Sequence, residues 1–176
     1  MKRRQMMLNK TVTKFAKKII HEGMKNPLLK MKAYENDKGV SLFFQDSKGD
    51  YVSLKYSGLY SIYRKVNDNY ECLYVGQTDH TIYGRLHRWA KGVAGKLRHD
   101  ESHSGAIKAR RDGITLTDEL YVKVIDDRTV YTMWENFTSD FNHVNIYGID
   151  EWIAPLLKSK YNTITYEESA SLEDFF

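Results

Sequence analysis

Two tyrosines in this chain each belong to a short glycine-containing motif, and phenol groups can donate, accept or carry a proton. The first motif is Gly-Leu-Tyr at residues 58–60, and the second is Tyr-Val-Gly at residues 74–76. Between them, two runs rich in β-branched and aromatic residues flank an Asn-Asp-Asn turn at residues 67–69. This pattern is typical of a β-hairpin. We therefore expect Tyr60 and Tyr74 near the two ends of one hairpin, with glycines where the backbone turns or approaches a neighbour closely.

Basic residues are concentrated in two parts of the chain, although the formal net charge is only +4. Residues 1–32 are rich in lysine and arginine and contain a single acid, Glu22, and a second basic run spans residues 85–111. Neutralising phosphates is the sequence-independent part of nucleic-acid binding, so the runs indicate a polyanionic partner or, alternatively, solvated helix faces. Under the first interpretation, the DNA contacts are Arg88, Lys91, Lys96, Arg98, His103, Lys108, Arg110 and Arg111.

Cysteine content and hydropathy exclude several classes of protein. The single cysteine, Cys72, rules out an internal disulfide framework and fits a reducing compartment. No apolar run approaches the roughly 20 residues that a membrane span needs, and the N-terminus lacks the apolar centre of a signal peptide. We expect a cytoplasmic protein with no membrane partner.

The N-terminal third predicts a helix followed by strands. Apolar residues recur at helical spacing and Gly23 precedes Pro27, so we expect an amphipathic helix over residues 8–24 with lysines on its outer face. Its apolar stripe would pack in the core or form a dimer contact, and the helix could also embrace DNA. A hairpin around residues 46–49 then leads into the strand at Gly58, which indicates a small antiparallel sheet of three or four strands.

A helix follows the second tyrosine motif. Ile82 and Trp89 lie on its apolar face, Asp79 or Thr81 could cap its start, and Gly92 would end it. The loop after it is rich in glycine and charge, which indicates a segment that is mobile or folded against a partner.

The remaining chain predicts three further helices and a strand. A short helix over residues 104–111 is closed by Gly113, and alternation predicts a strand over residues 119–126. Another helix is expected around residues 133–141. The last helix carries Pro155, which should kink or restart it.

The order of four motifs is more specific than any one of them. The two tyrosine motifs precede a helix with Arg85, a late helix with Glu151 and an ending at Asn162. In this order the chain resembles the GIY-YIG nuclease superfamily, from about Gly58 to Asn162. The run at residues 102–108 is also similar to one in some homing endonucleases of that superfamily.

The resemblance implies an α+β fold in which a small antiparallel sheet is flanked by helices. Residues 57–165 would form the nuclease core of a single domain over residues 1–176. The basic helix and hairpin of residues 1–56 would be an N-terminal extension, and residues 166–176 an acidic tail.

The same resemblance implies a role for each motif residue. Tyr60 would contact the attacking water and act as general base, and Tyr74 would position that water or the scissile phosphate. Arg85 would stabilise the extra charge of the pentacovalent phosphate, a task that suits an always-charged guanidinium. Glu151 would bind one Mg²⁺ per site, with Mn²⁺ as a substitute, and Asn162 would buttress the site.

Relatives often have a histidine or tyrosine one turn after the arginine, and here that position is Trp89, which cannot accept a proton. His87 lies two residues from Arg85 and would point elsewhere, so Tyr63 or His80 could fill the role instead. The metal ligand has alternatives too. Glu151 precedes Asn162 by about one residue less than is common in relatives. Asp150 is the nearer alternative, and Glu135 the remoter one.

These expectations together describe a metal-dependent DNA endonuclease that hydrolyses phosphodiester bonds. The compact chain is most similar to a sequence-specific type II restriction endonuclease acting as a homodimer on double-stranded DNA. The alternatives are a phage or mobile-element nuclease of low specificity, a non-catalytic DNA-binding module and a nuclease acting on RNA. Residues 92–103 and the helix over residues 104–111 would face a groove of the DNA.

Overall fold

Six β-strands and five α-helices make up the part of the chain that the computed structural model describes, namely residues 2–23, 25–137 and 148–162. Only the backbone is described for residues 2–8. In chain order the elements are α1 (Lys2–Gly23), β1 (Leu29–Asn36), β2 (Gly39–Gln45), β3 (Tyr51–Val52), β4 (Gly58–Val66), β5 (Asn69–Thr78), α2 (Ile82–Ala94), α3 (Ser104–Arg111), β6 (Leu120–Asp126), α4 (Asp127–Phe137) and α5 (Asp150–Leu156). None of the described helices combines the length and hydropathy that crossing a bilayer requires.

The strands form one antiparallel sheet in the order β3-β2-β1-β6-β4-β5. The α+β class is confirmed, as is the hairpin of β4 and β5, but the expected count of three or four strands was too low. β1 accounts for part of the difference. Its side chains alternate between buried Leu29 and Met31 and half-buried Lys30 and Lys32, yet these residue types are also common in helices. β1 and β6 pair with each other and join the two hairpins into one sheet.

A β-bulge lies directly before Tyr74 on β5. β5 contains one extra residue, Leu73, between the partners of Ile62 and Tyr63 on β4. Leu73 and Tyr74 therefore pack on the same side of the sheet, the side that also holds Tyr60. Tyr74 reaches the side of Tyr60 by plain alternation from Gly76, and the bulge turns Leu73 to that side as well, because one residue of slip exchanges the faces of a strand.

Two hydrophobic cores lie on the two sides of the sheet. α2 and α3 cover the side that holds Tyr60, which we call the α2 side, and Trp89 is fully buried there. α1, α4 and α5 cover the other side, the α1 side, where the rings of Phe15 and Trp134 are 4.8 Å apart. Phe15, Ala16 and Ile19 are all buried in this core. The apolar stripe of α1 is thus used within the chain and is not left for a dimer contact.

Several predicted boundaries differ from the structure. α1 begins well before residue 8, and α2 continues past Gly92 to end at Gly95, whose left-handed backbone (φ 70°) forms the C-cap. Gly92 has a different role, since a Cβ there would lie 2.5 Å from the Cβ of Ala106 where α3 crosses α2. α4 covers Asp127–Phe137, earlier than the predicted helix. Residues 138–141 of the predicted helix and residues 166–176 of the predicted acidic tail lie outside the described residues.

Candidate active site

The two motif tyrosines meet on the α2 side of the hairpin. Their ring centroids are 6.2 Å apart and the rings are stacked. Tyr60 is buried, and it pairs across the strands with Gly76. A Cβ on Gly76 would lie 2.5 Å from Cζ of Tyr60, so the glycine of the second motif makes room for the phenol of the first. Gly58 is equally constrained, because a Cβ there would collide with the backbone of Ile125.

α3 brings a histidine against Tyr74. The ring centroids of His103 and Tyr74 are 4.9 Å apart, and a Cβ on Gly105 would lie 2.7 Å from the Tyr74 ring. His103 is also the N-cap of α3, since its Nδ1 accepts a hydrogen bond of 3.3 Å from the Ala106 amide. The ring proton of neutral His103 therefore sits on Nε2. Burial, and then the charges of Arg85 and Arg88, lower the pKa of His103 to about 4.

Two arginines of α2 supply the positive charge at this place. The buried residues Ile82 and Trp89 anchor α2 against the sheet, and Thr81 caps its start by accepting from the Gly84 amide. Arg85 and Arg88 lie half-buried near His103, and the charge of Arg85 also reaches Tyr74. In the described part of the chain no carboxylate lies within 4.0 Å of either guanidinium. Their charge is therefore available to an anionic ligand.

The first turn of α5 carries adjacent carboxylates with different surroundings. Asp150 is half-buried and hydrogen-bonded to the backbone of Gln77, whereas Glu151 is exposed. Burial, and then the charge of Glu151, raise the pKa of Asp150 to about 6. Burial, followed by the charge of Asp150, also raises the pKa of Tyr74, an effect that Arg85 opposes. Asp150 is therefore the carboxylate whose charge acts on Tyr74.

The chain after α5 closes the free edge of β5. The side chain of Asn162 binds the backbone of Val75 twice, accepting from its amide at 2.8 Å and donating to its carbonyl at 2.7 Å. The Lys160 and Tyr161 amides donate to the carbonyls of Cys72 and Leu73 at 3.1 Å and 3.0 Å. Asn162 thereby fixes the backbone of Val75, the middle residue of the second motif, at the edge of the sheet.

Gln77 is a site residue that the sequence did not single out. It is buried, and its Oε1 accepts a hydrogen bond of 2.8 Å from the Gly148 amide, which ties β5 to the start of α5. Its Nε2 is buried and, among the described residues, has no hydrogen-bond partner. Its place directly after Tyr-Val-Gly was the only available signal. His103 was predicted as a DNA contact, and its packing on Tyr74 depends on the fold of α3.

Several candidates lie away from this cluster. Tyr63 points to the α1 side, where it accepts a hydrogen bond of 3.0 Å from Ser61, and burial raises its pKa to about 12. His87 stacks on Tyr83 and donates from Nε2 to the Val40 carbonyl at 2.7 Å. His80 is exposed in the loop before α2, and Glu135 is exposed on α4. Trp89 is core.

Apart from His103 and its neighbour Arg88, the predicted DNA contacts fall into two groups. Lys91 and Arg98 pair with Glu101, whose pKa falls to about 2 chiefly because of the hydrogen bond from Lys91. Lys96 pairs with Glu35 at 3.5 Å. The second group, which has no ion pair within the described residues and lies exposed on α3, is Lys108, Arg110 and Arg111.

The cluster brings together Tyr60, Tyr74, Arg85, His103 and Asp150. No three potential metal ligands among histidine, cysteine, aspartate and glutamate gather anywhere in the described ranges, so any cation here would rely on at most two such side chains and water. In comparisons with known proteins, no protein-family model, no curated protein and no solved structure matches the chain.

Proposed function

We propose that this chain is a metal-dependent DNA endonuclease of the GIY-YIG kind. The observation that carries the proposal is the meeting of the two motif tyrosines with an unpaired guanidinium, a neutral imidazole and a half-buried carboxylate. In-line attack on a phosphodiester needs a group that takes a proton from water, a cation over the non-bridging oxygens and stabilisation of the leaving oxygen. The cluster offers a residue for each task.

The tyrosines take different parts in this proposal. Tyr74 keeps its proton at neutral pH, because burial and Asp150 raise its pKa, and it orients water or phosphate as a hydrogen-bond donor. Tyr60 is the general base. His103, neutral with its proton on Nε2, donates to a phosphate oxygen beside Arg85. Asn162 acts through the backbone of Val75 as a positioning residue.

A divalent cation fits at Asp150. The carboxylate is half-buried beside a second acid, and a nearby cation would relieve the cost that burial and Glu151 impose on its charged form. Mg²⁺ commonly keeps several waters and uses one or two carboxylates, so one side-chain ligand is sufficient. When bound, the cation would stabilise the negative charge on the leaving oxygen. We propose Asp150 as the direct ligand. The exposed Glu151 would contact the cation through a water molecule.

Double-stranded DNA is the proposed substrate, with the exposed cations of α3 along its backbone. A chain with one site cuts both strands most simply as a two-fold homodimer, as in a type II restriction endonuclease. This dimer would use a surface other than the buried stripe of α1.

Incubation of the purified chain with supercoiled plasmid, in Mg²⁺ or in EDTA, tests the proposal. We expect cutting in Mg²⁺ alone, with discrete fragments if the enzyme is sequence-specific. Tyr60→Phe and Asp150→Asn should abolish cutting and retain duplex binding, whereas Glu151→Gln should retain measurable cutting. Binding without cutting in Mg²⁺ or Mn²⁺ would leave a non-catalytic DNA-binding module, and a preference for RNA would change the substrate. Gel filtration with duplex DNA decides whether a dimer forms.

A further inference from the structure

An uncovered face of the outer sheet carries aromatic rings next to lysines. Tyr34 and Tyr51 are 52% and 75% exposed, and Phe43 lies between them with ring centroids 5.6 Å and 5.2 Å away. Lys32 is the cross-strand partner of Phe43, and Lys30 is on the same face of β1. We call these five residues the aromatic–lysine patch.

The strand register places the patch on the α1 side. Met31 and Phe44 belong to the core under α2, so their neighbours in sequence point the other way. The helices of the α1 side pack over β4, β5 and β6. In the described part of the chain they leave this side of β1, β2 and β3 open, which is why Tyr34 and Tyr51 remain exposed to solvent although their rings contact Phe43.

Charge around the patch favours an anionic ligand. Glu119, an acid beside the patch, accepts a hydrogen bond of 2.6 Å from Tyr121 and lies 3.9 Å from Lys30. Lys30, Lys32 and Lys65 all act on Glu119, so cations outnumber the acid at this place. A second copy stacked face to face would set lysines against lysines. A lipid surface is also a poor match, because the patch has no leucine, isoleucine or tryptophan to enter the acyl region.

We propose that the aromatic–lysine patch binds single-stranded DNA. Bases would stack on Tyr34, Phe43 and Tyr51, while Lys30 and Lys32 contact phosphates. Aromatic platforms flanked by cations bind single strands with little sequence preference, because every base has a π-face. The choice of DNA over RNA rests on the proposed function.

The patch is separate from the candidate active site. β1 is two strands from β4 and β3 is four strands away, which is about 10 Å and about 19 Å at the usual strand spacing. The two sites also lie on opposite sides of the sheet. A single strand on the patch therefore leaves Tyr60 and Tyr74 free, and either site can be altered alone.

Fluorescence anisotropy of a labelled oligothymidylate of about 15 nucleotides, with the full chain in EDTA, tests the proposal. Tyr34→Ala and Tyr51→Ala should each weaken binding between about 5-fold and 150-fold, since stacking on one aromatic contributes about that factor. Tyr131→Ala is the matched control, because Tyr131 is an exposed tyrosine on α4. Lys30→Gln and Lys32→Gln should each reduce the salt slope by about 0.7.

Three results would overturn the proposal: equal affinity of Tyr51→Ala and the wild type, tighter binding of oligouridylate RNA than of DNA, or a dimer that Tyr51→Ala dissolves. Plasmid cutting reports on the other site. Loss of cutting together with patch-dependent oligonucleotide binding would refute the nuclease and not the patch. Cutting of plasmid without binding of the single-stranded oligonucleotide would refute the patch and not the nuclease.

Discussion

The phenol ring of Tyr60 lies directly over the α-carbon of Gly76 on the neighbouring strand, so close that a methyl group there would be 2.5 Å from Cζ. Both tyrosine motifs are thus parts of one contact. Gly76→Ala should displace Tyr60 and cost about 1–3 kcal/mol of unfolding free energy through overpacking. Cleavage should fall about 100-fold, because a shift of about 1 Å at a reacting group has that effect. Urea unfolding and single-turnover cleavage measure the two effects.

The control is Gly49→Ala. Gly49 has a positive φ of 87° and open space around it, in the turn before β3. Its substitution strains the backbone and should lower stability while cleavage stays at the wild-type rate. Equal loss of cleavage in both variants would mean that stability, and not the position of Tyr60, controls activity.

Arg85→Lys keeps the charge on α2 and removes the planar guanidinium. We expect single-turnover cleavage to fall at least about 100-fold, because a point charge cannot bridge two phosphate oxygens. Duplex affinity should change little. Arg111→Lys on exposed α3 is the matched control and should cleave normally. Wild-type cleavage by Arg85→Lys would remove Arg85 from the site.

Asn162→Asp separates the two hydrogen bonds to Val75. Aspartate still accepts from the amide but cannot donate to the carbonyl, so that two acceptors face each other. Unfolding free energy should drop by about 1–3 kcal/mol, and cleavage should drop with it. Asn162→Ala should be less harmful than Asn162→Asp, because it removes both side-chain groups and sets no carboxylate oxygen against the Val75 carbonyl. The reverse ranking would argue against the geometry.

A phenol that acts as general base must first lose its own proton, so it gives a rate that rises with pH. Cleavage by the wild type should increase from about pH 7 to about pH 9.5 with a slope near one in log rate. His103 cannot produce this rise, because its pKa of about 4 keeps it neutral throughout. A flat profile in single-turnover measurements would exclude Tyr60 as the base.

The lowered pKa of His103 also predicts how stability depends on pH. In the unfolded chain this pKa is about 6.5, and in the folded chain it is about 4. Between these values the unfolded state binds more protons, so the free energy of unfolding decreases as pH falls from about 6.5 to about 4, by on the order of 2 kcal/mol. His103→Gln should lose this decrease in urea titrations. His80→Gln should keep it, since His80 is exposed.

Local patterns in the sequence predict the hairpin of β4 and β5, the Thr81 cap of α2 and the helix over residues 104–111, because each depends on neighbouring residues. The extra residue Leu73 could not be predicted, since alternation alone does not show where a strand slips. That slip turns Leu73 to the side of the sheet that already holds Tyr74. The sequence predicted the end of α2 at Gly92, whereas the helix ends at Gly95. A glycine can either cap a helix or allow two helices to pack closely, and the sequence alone does not distinguish these roles.

The candidate site was predicted from the order of motifs, and the structure refines which groups meet. Asp150 and Glu151 look equivalent in sequence, but the turn of α5 leaves one against Gln77 and the other in solvent. His103 approaches Tyr74 only through the packing of Gly105 on the ring. Contacts of this kind depend on tertiary structure and leave no periodic signal.

The closure of β5 by residues 160–162 has a consequence for synthesis. The Asn162 side chain bonds a strand residue 87 positions earlier, and the turn that carries Asp150 reaches the same strand at Gln77. A nascent chain can form the hairpin early, but it lacks the carboxylate and the edge support until residue 162 has left the ribosome. The proposed cutting activity therefore arises only in chains whose translation has passed that point, so incomplete products would present no competent nuclease to the cell's own DNA.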